Sequence, residues 1–211
     1  DVVKPWVDSL LHQPRGPVQL GKSALLVASG AKNSGKTFLM MGNYAKKEEV
    51  TVGLIPLVVR DILKHIDRHN KDSSPSNKQL QLKLKIVEVI YDTPNGTVRN
   101  LLGTNQKLSL LDNNDGTTRI VSAKNDDTPF EGLLVTCPKE GLRVVKQAER
   151  NRKKSFNGVS ATSSSLSHSV YQLEISYSSD DATEHAISTF SIVDLAASAV
   201  SFQRESNVAQ H

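Results

Sequence analysis

The sequence predicts a domain of the α/β class, and three patterns carry that prediction. A short, continuous apolar run at residues 24–29 leads straight into a glycine-rich loop, as the buried strands of α/β sheets commonly do. Residues 53–67 and 138–152 repeat apolar side chains every three or four positions, which is the period of a helix. Residues 80–86 and 171–177 alternate apolar and polar side chains, which is the period of a strand.

Length and composition indicate one domain in a reducing compartment. The chain has 211 residues, which is enough for a single domain with a substantial core. Its 26 basic and 22 acidic residues give a net charge of only +4, without a long basic block, so we predict no nucleic-acid partner. The single cysteine, Cys137, excludes an intrachain disulfide. Because no signal-type or membrane-length apolar run is present, we expect a cytoplasmic protein without a membrane partner.

The first half of the chain is predicted to form a strand, a loop, a helix and a second strand. The run ALLVAS at 24–29 is the first strand, and the glycine loop follows it. One apolar face marks the helix over residues 53–67, and it is formed by Ile55, Val59, Ile62 and Ile66. The polar, proline-containing stretch at 70–78 is a loop, and the alternating residues at 80–86 form the next strand.

The second half repeats this alternation of elements. Residues 112–129 are rich in turn-forming residues, which predicts a surface segment that contains a hairpin. The helix over 138–152 starts with Pro138, a favoured residue for a first helical turn. The small residues of 155–169 predict a loop, the alternation at 171–177 predicts a strand, and a final strand runs into Asp194.

The loop between the first strand and its helix carries a phosphate-binding pattern. The eight positions of G-x-x-x-x-G-K-[ST] are occupied by Gly30, Ala31, Lys32, Asn33, Ser34, Gly35, Lys36 and Thr37. All of its fixed positions are matched, by Gly30, Gly35, Lys36 and Thr37. Glycines let backbone N–H groups turn toward phosphate oxygens, and the helix N-terminus adds a positive dipole end. By the same pattern, Lys36 reaches the β- and γ-phosphates and Thr37 holds Mg²⁺. The alternative is a glycine turn that fits by chance.

An acidic residue and a serine pair are candidates for the metal side of the same site. Asp194 follows the apolar strand residues FSIV, which is where phosphate-loop proteins place a carboxylate near the Mg²⁺ water shell. The alternative role for Asp194 is a helix or turn cap. Ser164 and Ser165 are candidates for contacts with Mg²⁺ or the γ-phosphate, although a serine-rich stretch is commonly solvated linker. The predicted metal ligands are Thr37, Ser165 and Asp194.

Longer segments around these motifs match a known family in the same order along the chain. They are GKSALLVASGAKNSGKTFLMMG at 21–42, GLIPLVVRDIL at 53–63, KIVEVIYDTPNGTVRNLLG at 85–103, Asn151-Arg152, SSLSHSVYQLEI at 164–175 and FSIVDLAAS at 190–198. In these segments the chain resembles the kinesin motor head. The last two correspond to the switch I and switch II segments of that family.

The resemblance implies a fold, ligands and partners. It implies a phosphate-loop NTPase fold with a central mixed, mostly parallel sheet flanked by helices on both faces. Residues 1–211 would form a single domain that is a partial head, without the N-terminal strand and the region after switch II. It further implies binding of ATP or ADP with Mg²⁺ and a cytoskeletal location. It also implies binding of microtubules through regions mostly outside this chain, and dimerisation through a coiled coil outside it.

Several positions depart from the family pattern. The switch I arginine is replaced by Leu166, and the switch II glycine and glutamate are replaced by Ala197 and Ala199. This chain has Ala161 where the family has the switch I asparagine. Ser164, Ser165, Asp194 and His168 match the family pattern. An unpaired buried charge costs free energy, so replacing both members of a charge pair is physically more favourable than replacing only one of them. We therefore expect nucleotide binding with weak or absent ATP hydrolysis; the alternative is an active microtubule motor ATPase.

Three further interpretations lie outside the resemblance to kinesins. A phosphate-loop kinase or a GTPase-like switch would require an arginine-rich lid or an N-K-x-D motif, and the sequence has neither. The basic segment at 146–154 is interpreted as a solvated helix end, with phosphate sensing as the alternative. Trp6 is interpreted as a packing residue.

Overall fold

The protein is described by a computed structural model. The structure describes residues 23–43, 51–72, 79–90, 96–103, 106–116, 118–123, 128–154, 167–178 and 188–197. Its helices are α1 (Lys36–Met41), α2 (Leu54–Asp72) and α3 (Pro138–Lys154). Its strands are β1 (Ala24–Ala28), β2 (Gly42–Asn43), β3 (Thr51–Val52), β4 (Leu80–Ile90), β5 (Thr97–Asn100), β6 (Lys107–Asp112), β7 (Thr118–Ser122), β8 (Leu133–Val135), β9 (Ser167–Tyr177) and β10 (Ser188–Asp194).

One large sheet organises the described part of the chain. Its strands lie in the order β1-β10-β9-β4-β5-β6-β7, and β8 pairs with the first half of β4. The long central strands β4 and β9 pair antiparallel over their full length, from Leu80↔Tyr177 to Ile90↔Ser167. The short strands β2 and β3 form a separate two-stranded ribbon. The parallel pair β1–β10 aligns Ala28 with Asp194, so the glycine loop and Asp194 emerge at the same edge of the sheet.

The core lies between one face of the sheet and the three helices. Strand side chains alternate between faces, and the inward set in β4 is Leu80, Leu82, Leu84 and Ile86. From the helices, the same cluster takes Met40 of α1, Ile55, Val59 and Ile62 of α2, and Val145 and Ala148 of α3. The opposite face carries a small cluster around Val87, Val98 and Leu108. On β1 the opposite face leaves Leu25 and Val27 exposed.

The α/β class and the mixed, helix-flanked sheet are confirmed, but one detail of the predicted sheet differs in the described residues. Among the described strand pairs only β1–β10 is parallel, so the sheet is not mostly parallel in this part of the chain. Antiparallel pairing dominates because β9 lies between β4 and β10 and runs opposite to both. The helices that the structure describes, α1, α2 and α3, share one core on one face of the sheet.

Most predicted elements are present, and several are longer than predicted. The helix predicted at 138–152 extends to Lys154, and the strand predicted at 80–86 extends to Ile90. The hairpin predicted within 112–129 is formed by β6 and β7. Residues 167–169 were predicted as loop but belong to β9, because they pair with the end of β4. Trp6 lies outside the described residues.

A glycine sets the distance between the two long helices. Gly141 lies in the first turns of α3, and a Cβ built there would come within 2.7 Å of Val59 and 2.8 Å of Leu63 in α2. The absence of a side chain therefore lets α3 pack closely on α2. This contact fixes the direction of α3, whose C-terminal end reaches the carboxyl-end edge of the sheet.

Candidate functional site

The glycine loop contains three residues with positive φ angles. Gly30, Asn33 and Gly35 have positive φ angles of 149°, 64° and 88°. Glycine takes such angles without steric cost, and asparagine tolerates the left-handed region better than most residues. Helix α1 begins immediately afterwards at Lys36, and Gly35 at its N-cap position supplies no side-chain cap. The loop and the helix start are thus arranged as a backbone cradle.

Lys36 lies across this cradle. Its ammonium group donates hydrogen bonds to the carbonyl oxygens of Gly30 and Ala31, each at 2.8 Å. Both acceptors belong to the loop itself, so the charged group lies directly over the loop. An incoming phosphate oxygen would therefore find the lysine donors already positioned there.

Thr37 and Asp194 meet at the start of α1. The Thr37 hydroxyl donates a hydrogen bond of 3.0 Å to Oδ2 of Asp194. Asp194 is 1% exposed, and its other carboxylate oxygen, Oδ1, has no hydrogen-bond partner among the residues that the structure describes. An unpaired carboxylate oxygen that is buried costs free energy, so it marks a position where a cation or a cation-bound water would be stabilised. Two of the three predicted metal ligands are therefore in direct contact.

Arg152 is the main site residue that the sequence analysis missed. The segment 146–154 was interpreted as a solvated helix end, and for Arg152 this was wrong, because its side chain is 1% exposed. Its Nη1 donates to Oδ2 of Asp194 at 2.9 Å. The available signal was helical spacing, since Arg152 follows Val145 and Ala148 on the buried face of α3.

The charge of Arg152 is retained despite its burial. Burial disfavours the charged guanidinium, but the hydrogen bond and the negative charge of Asp194 outweigh it, so the pKa of Arg152 is raised. The guanidinium also donates to Ser167, from Nη2 to the carbonyl oxygen at 2.8 Å and from Nε to the hydroxyl at 3.4 Å. One side chain therefore contacts the ends of both β9 and β10.

A second buried carboxylate extends this polar network. Glu88 of β4 is 0% exposed and accepts the Ser167 hydroxyl at Oε1 over 2.7 Å. Its Oε2 lies 3.7 Å from Nη2 of Arg99 on β5. Glu88 occupies the inward face of β4 that Leu82, Leu84 and Ile86 define, so alternation alone would predict an apolar residue there.

His168 holds the backbone that follows Asp194. The N–H of Ala196 donates to Nδ1 of His168 at 3.0 Å, which requires that nitrogen to be unprotonated. Burial and the positive charge of Arg152 lower the pKa of His168, and Asp194 opposes this only in part. The Leu195 N–H is also bound, to the carbonyl oxygen of Ala28 at 3.1 Å. The segment after Asp194 is thus tied to both β9 and β1.

Of the remaining predicted site residues, the structure describes Ala197 but not those of switch I. Ala197 is half-buried at the end of the last described segment. Ser164, Ser165, Leu166, Ala161 and Ala199 lie outside the described residues. Within the described ranges there is no cluster of three or more His, Cys, Asp or Glu side chains that could hold a metal alone. A Mg²⁺ ion at this site would therefore rely on phosphate oxygens as well as Thr37 and Asp194.

Comparison with known proteins decides the family. A family model described as the kinesin motor domain matches residues 3–210. The chain belongs to the kinesin motor domain family. The predicted resemblance is thereby confirmed, while the kinesin subgroup is not determined by these matches.

Individual kinesins match at modest identity. The chain is 27% identical over 198 residues to the kinesin-like protein tea2 of Schizosaccharomyces pombe, which covers 94% of this chain and 28% of tea2. It is 30% identical over 184 residues to the kinesin heavy chain of Syncephalastrum racemosum, which covers 86% of this chain and 18% of that protein. The chain thus spans less than a third of the length of these relatives.

A solved kinesin structure supports the fold. The structure titled "Structure of a fast kinesin: Implications for ATPase mechanism and interactions with microtubules" superposes with a TM-score of 0.65 at 22% identity. The match covers 92% of this chain and 48% of the solved chain. At 22% identity, this match shows that the two chains share a fold.

Among the described residues, none of the helices is long and apolar enough to cross a membrane.

Proposed function

We propose that this chain is the nucleotide-holding part of a kinesin-type head that binds ATP or ADP with Mg²⁺ and associates with microtubules. Its hydrolysis of ATP is weak or absent, and it serves microtubule-based movement or anchoring in the cytoplasm and cytoskeleton. Residues 1–211 form one domain, a partial head, whose microtubule contacts and dimerising coiled coil lie mostly in regions outside this chain.

The observation that carries the proposal is the contact between Thr37 and Asp194 beside the intact glycine loop. The loop supplies backbone donors, Lys36 supplies a charge, and the two oxygen-bearing side chains lie 3.0 Å apart. Bound Mg²⁺ would neutralise phosphate charge, and the residues that would hold it are Thr37, Asp194 and Ser165. The orphaned Oδ1 of Asp194 fits such a role, since a carboxylate oxygen accepts hydrogen bonds from metal-bound water.

Weak hydrolysis is inferred from the substitutions around that cradle. Leu166 and Ala199 carry no charge, so the two switch segments cannot form the arginine–glutamate pair that the family pattern contains. At Ala197 a methyl group replaces the glycine of the pattern. Loss of one preorganised group commonly lowers turnover about 10²- to 10³-fold, and several linked groups are changed here. Gly30, Gly35, Lys36 and Thr37 keep the phosphate-binding pattern.

Nucleotide binding is tested first, on the protein with its complete head. A fluorescent ADP analogue should bind in the presence of Mg²⁺, and Lys36→Ala should weaken binding at least tenfold because a charge-assisted phosphate contact is lost. Arg60→Ala is a matched control, because Arg60 lies on α2 and pairs with Asp61. Equal binding by the parent protein and Lys36→Ala would refute the proposed site.

Steady-state phosphate release, with and without microtubules, tests the catalytic part of the proposal. We expect microtubule co-sedimentation and Lys36-dependent nucleotide binding, with phosphate release close to the Lys36→Ala background. Microtubule-stimulated release that Lys36→Ala abolishes would instead establish the alternative, an active motor ATPase. Nucleotide binding without co-sedimentation would contradict the microtubule part alone.

A further inference from the structure

The solvent face of α3 carries a row of basic side chains, which we call the basic row. Its four members are exposed, and they are Lys139, Arg143, Lys146 and Arg150. Because they are four, three and four residues apart, they lie one above another on one side of the helix. The row is about 16 Å long at the helical rise of about 1.5 Å per residue. The opposite side of α3 packs on the core through Val145 and Ala148.

The acidic residues near the basic row are directed elsewhere. Within residues 139–150 the sequence has two carboxylates, Glu140 and Glu149. Glu140 accepts hydrogen bonds from the backbone N–H and the hydroxyl of Thr136, at 3.0 and 3.1 Å. These bonds, more than the charge of Arg143, lower the pKa of Glu140. Glu149 is only 8% exposed. The solvent face of the helix therefore has one sign of charge along the whole row.

A row of one sign has an electrostatic cost. Like charges three or four residues apart destabilise a helix, and a cation in the first turn, such as Lys139, opposes the helix dipole. The neighbouring helix α2 differs, because its exposed charges include both signs and Lys71 pairs with Asp67 at 2.7 Å. Solubility alone does not require a row of one sign, since mixed charges serve it equally well. Anionic groups supplied by a partner would offset the repulsion within the row.

The surroundings of the row distinguish between anionic partners. Helices that bind membrane surfaces insert apolar side chains, but Val144, Val145 and Ala148 of α3 are buried in the core. Sites for single-stranded nucleic acid add aromatic side chains that stack on bases, and α3 contains no aromatic residue. An acidic helix can present a carboxylate about every 5.4 Å, as the row presents its cations, whereas an extended strand presents same-face side chains about every 7 Å.

We propose that the basic row docks an acidic helical segment of a partner protein, with one Asp or Glu side chain facing each cation. This inference goes beyond the proposed function and does not depend on it. Arg152, the α3 residue that reaches the nucleotide cradle, is buried on the other side of the helix. Each exposed ion pair contributes little and is screened by salt, so the docking is transient and weakens as ionic strength rises.

Peptide binding to the full chain tests the docking surface. The probe is a labelled helical peptide with glutamates at the spacing of the row, and its control is a peptide of the same composition with the glutamates distributed around the helix. Fluorescence anisotropy should show at least about fivefold tighter binding of the first peptide, because only it aligns with all four cations. Equal affinity for the two peptides would overturn the proposal, since binding would then follow net charge alone.

Substitutions in the protein locate the site. Arg143→Gln combined with Lys146→Gln removes two ion pairs and should lower affinity for the first peptide about fivefold. Glutamine is a good helix former, so the unfolding midpoint should stay close to that of the parent protein. The matched control is Lys107→Gln combined with Arg119→Gln, which makes the same charge change at exposed positions of the β6–β7 hairpin. An equal loss of affinity in the control would contradict a site on α3.

Charge exchange and competing polyanions complete the test. Arg143→Glu combined with Lys146→Glu should prefer a peptide whose two central glutamates are replaced by lysines, and no change in preference would contradict the paired arrangement. Oligothymidylate of equal charge and phosphatidylserine vesicles represent the other two classes of partner. Tighter binding of either one, if the glutamine substitutions at Arg143 and Lys146 abolish it, would overturn the acidic-helix assignment. The peptide comparison uses the parent protein, so it decides the proposal even if a variant fails to fold.

Discussion

The Thr37 hydroxyl donates a 3.0 Å hydrogen bond to Asp194 Oδ2, although 157 positions separate the two residues in the sequence. The contact joins the first turn of α1 to the end of β10, and it exists because β1 and β10 are parallel neighbours in register. The carboxyl ends of the two strands therefore deliver the glycine loop and the carboxylate to one place. This is the position where open α/β sheets bind their ligands.

Removal of the Thr37 hydroxyl should weaken the Mg²⁺-dependent part of nucleotide binding. Thr37→Ala removes the donor to Asp194 and the oxygen proposed to bind the metal, so nucleotide affinity with Mg²⁺ should fall at least about tenfold. Titration with a fluorescent ADP analogue, in Mg²⁺ and in EDTA, measures the difference. Thr37→Ser keeps the hydroxyl and should remain within a few-fold of the parent. Identical losses in Mg²⁺ and in EDTA would argue against a metal role for Thr37.

Breaking the Arg152–Asp194 pair should destabilise the fold strongly. Arg152→Met leaves the Asp194 carboxylate buried without its cation, which typically costs about 3–5 kcal/mol. Chemical denaturation should show a lower midpoint, provided that the denaturant slope stays unchanged. Combining Arg152→Met with Asp194→Asn removes both charges and should recover part of the loss. A double variant as unstable as the sum of the single variants would show that the two side chains are not coupled.

A close backbone approach beside α1 should reject any side chain. A Cβ at Gly42, which has φ of 80°, would overlap the Thr51 carbonyl oxygen across the β2–β3 ribbon. Gly42→Ala should therefore cost at least about 2 kcal/mol from strain and overpacking. Thermal unfolding provides the measurement. Gly103→Ala is the control, because nothing lies within 4 Å of a Cβ at Gly103, and its effect should stay within about 0.5 kcal/mol.

Acidification should loosen the segment that follows Asp194. The pKa of His168 is lowered in the folded protein from its ordinary 6.5, so the unfolded chain takes up this proton first as the pH falls. The contribution of His168 to stability is therefore complete above pH 6.5 and is lost on acidification below it. Unfolding midpoints between pH 8 and pH 5 should fall less in His168→Gln, which does not titrate and retains an acceptor. Parallel pH profiles for both proteins would contradict the prediction.

The glycine loop could be predicted from sequence because its chemistry is local. Gly30, Gly35, Lys36 and Thr37 all lie within residues 30–37, and glycine readily adopts the positive φ angles that the loop requires. The helix α2 and the strands β4 and β9 could be predicted for a similar reason. Their apolar side chains repeat with the period of the element.

The sequence by itself determined the fold class, the order of most elements, the position of the glycine loop with its phosphate-binding pattern, and Asp194 as the acidic residue predicted beside it. Only the tertiary structure decided that Glu88 and Arg152 are buried and that the described sheet is mostly antiparallel. The physical reason is that the cost of burying a charge depends on the partner it meets. Arg152 meets Asp194, 42 positions away, and Glu88 meets Ser167, 79 positions away. Such partners are set by strand pairing and helix packing, which no local pattern of residues specifies.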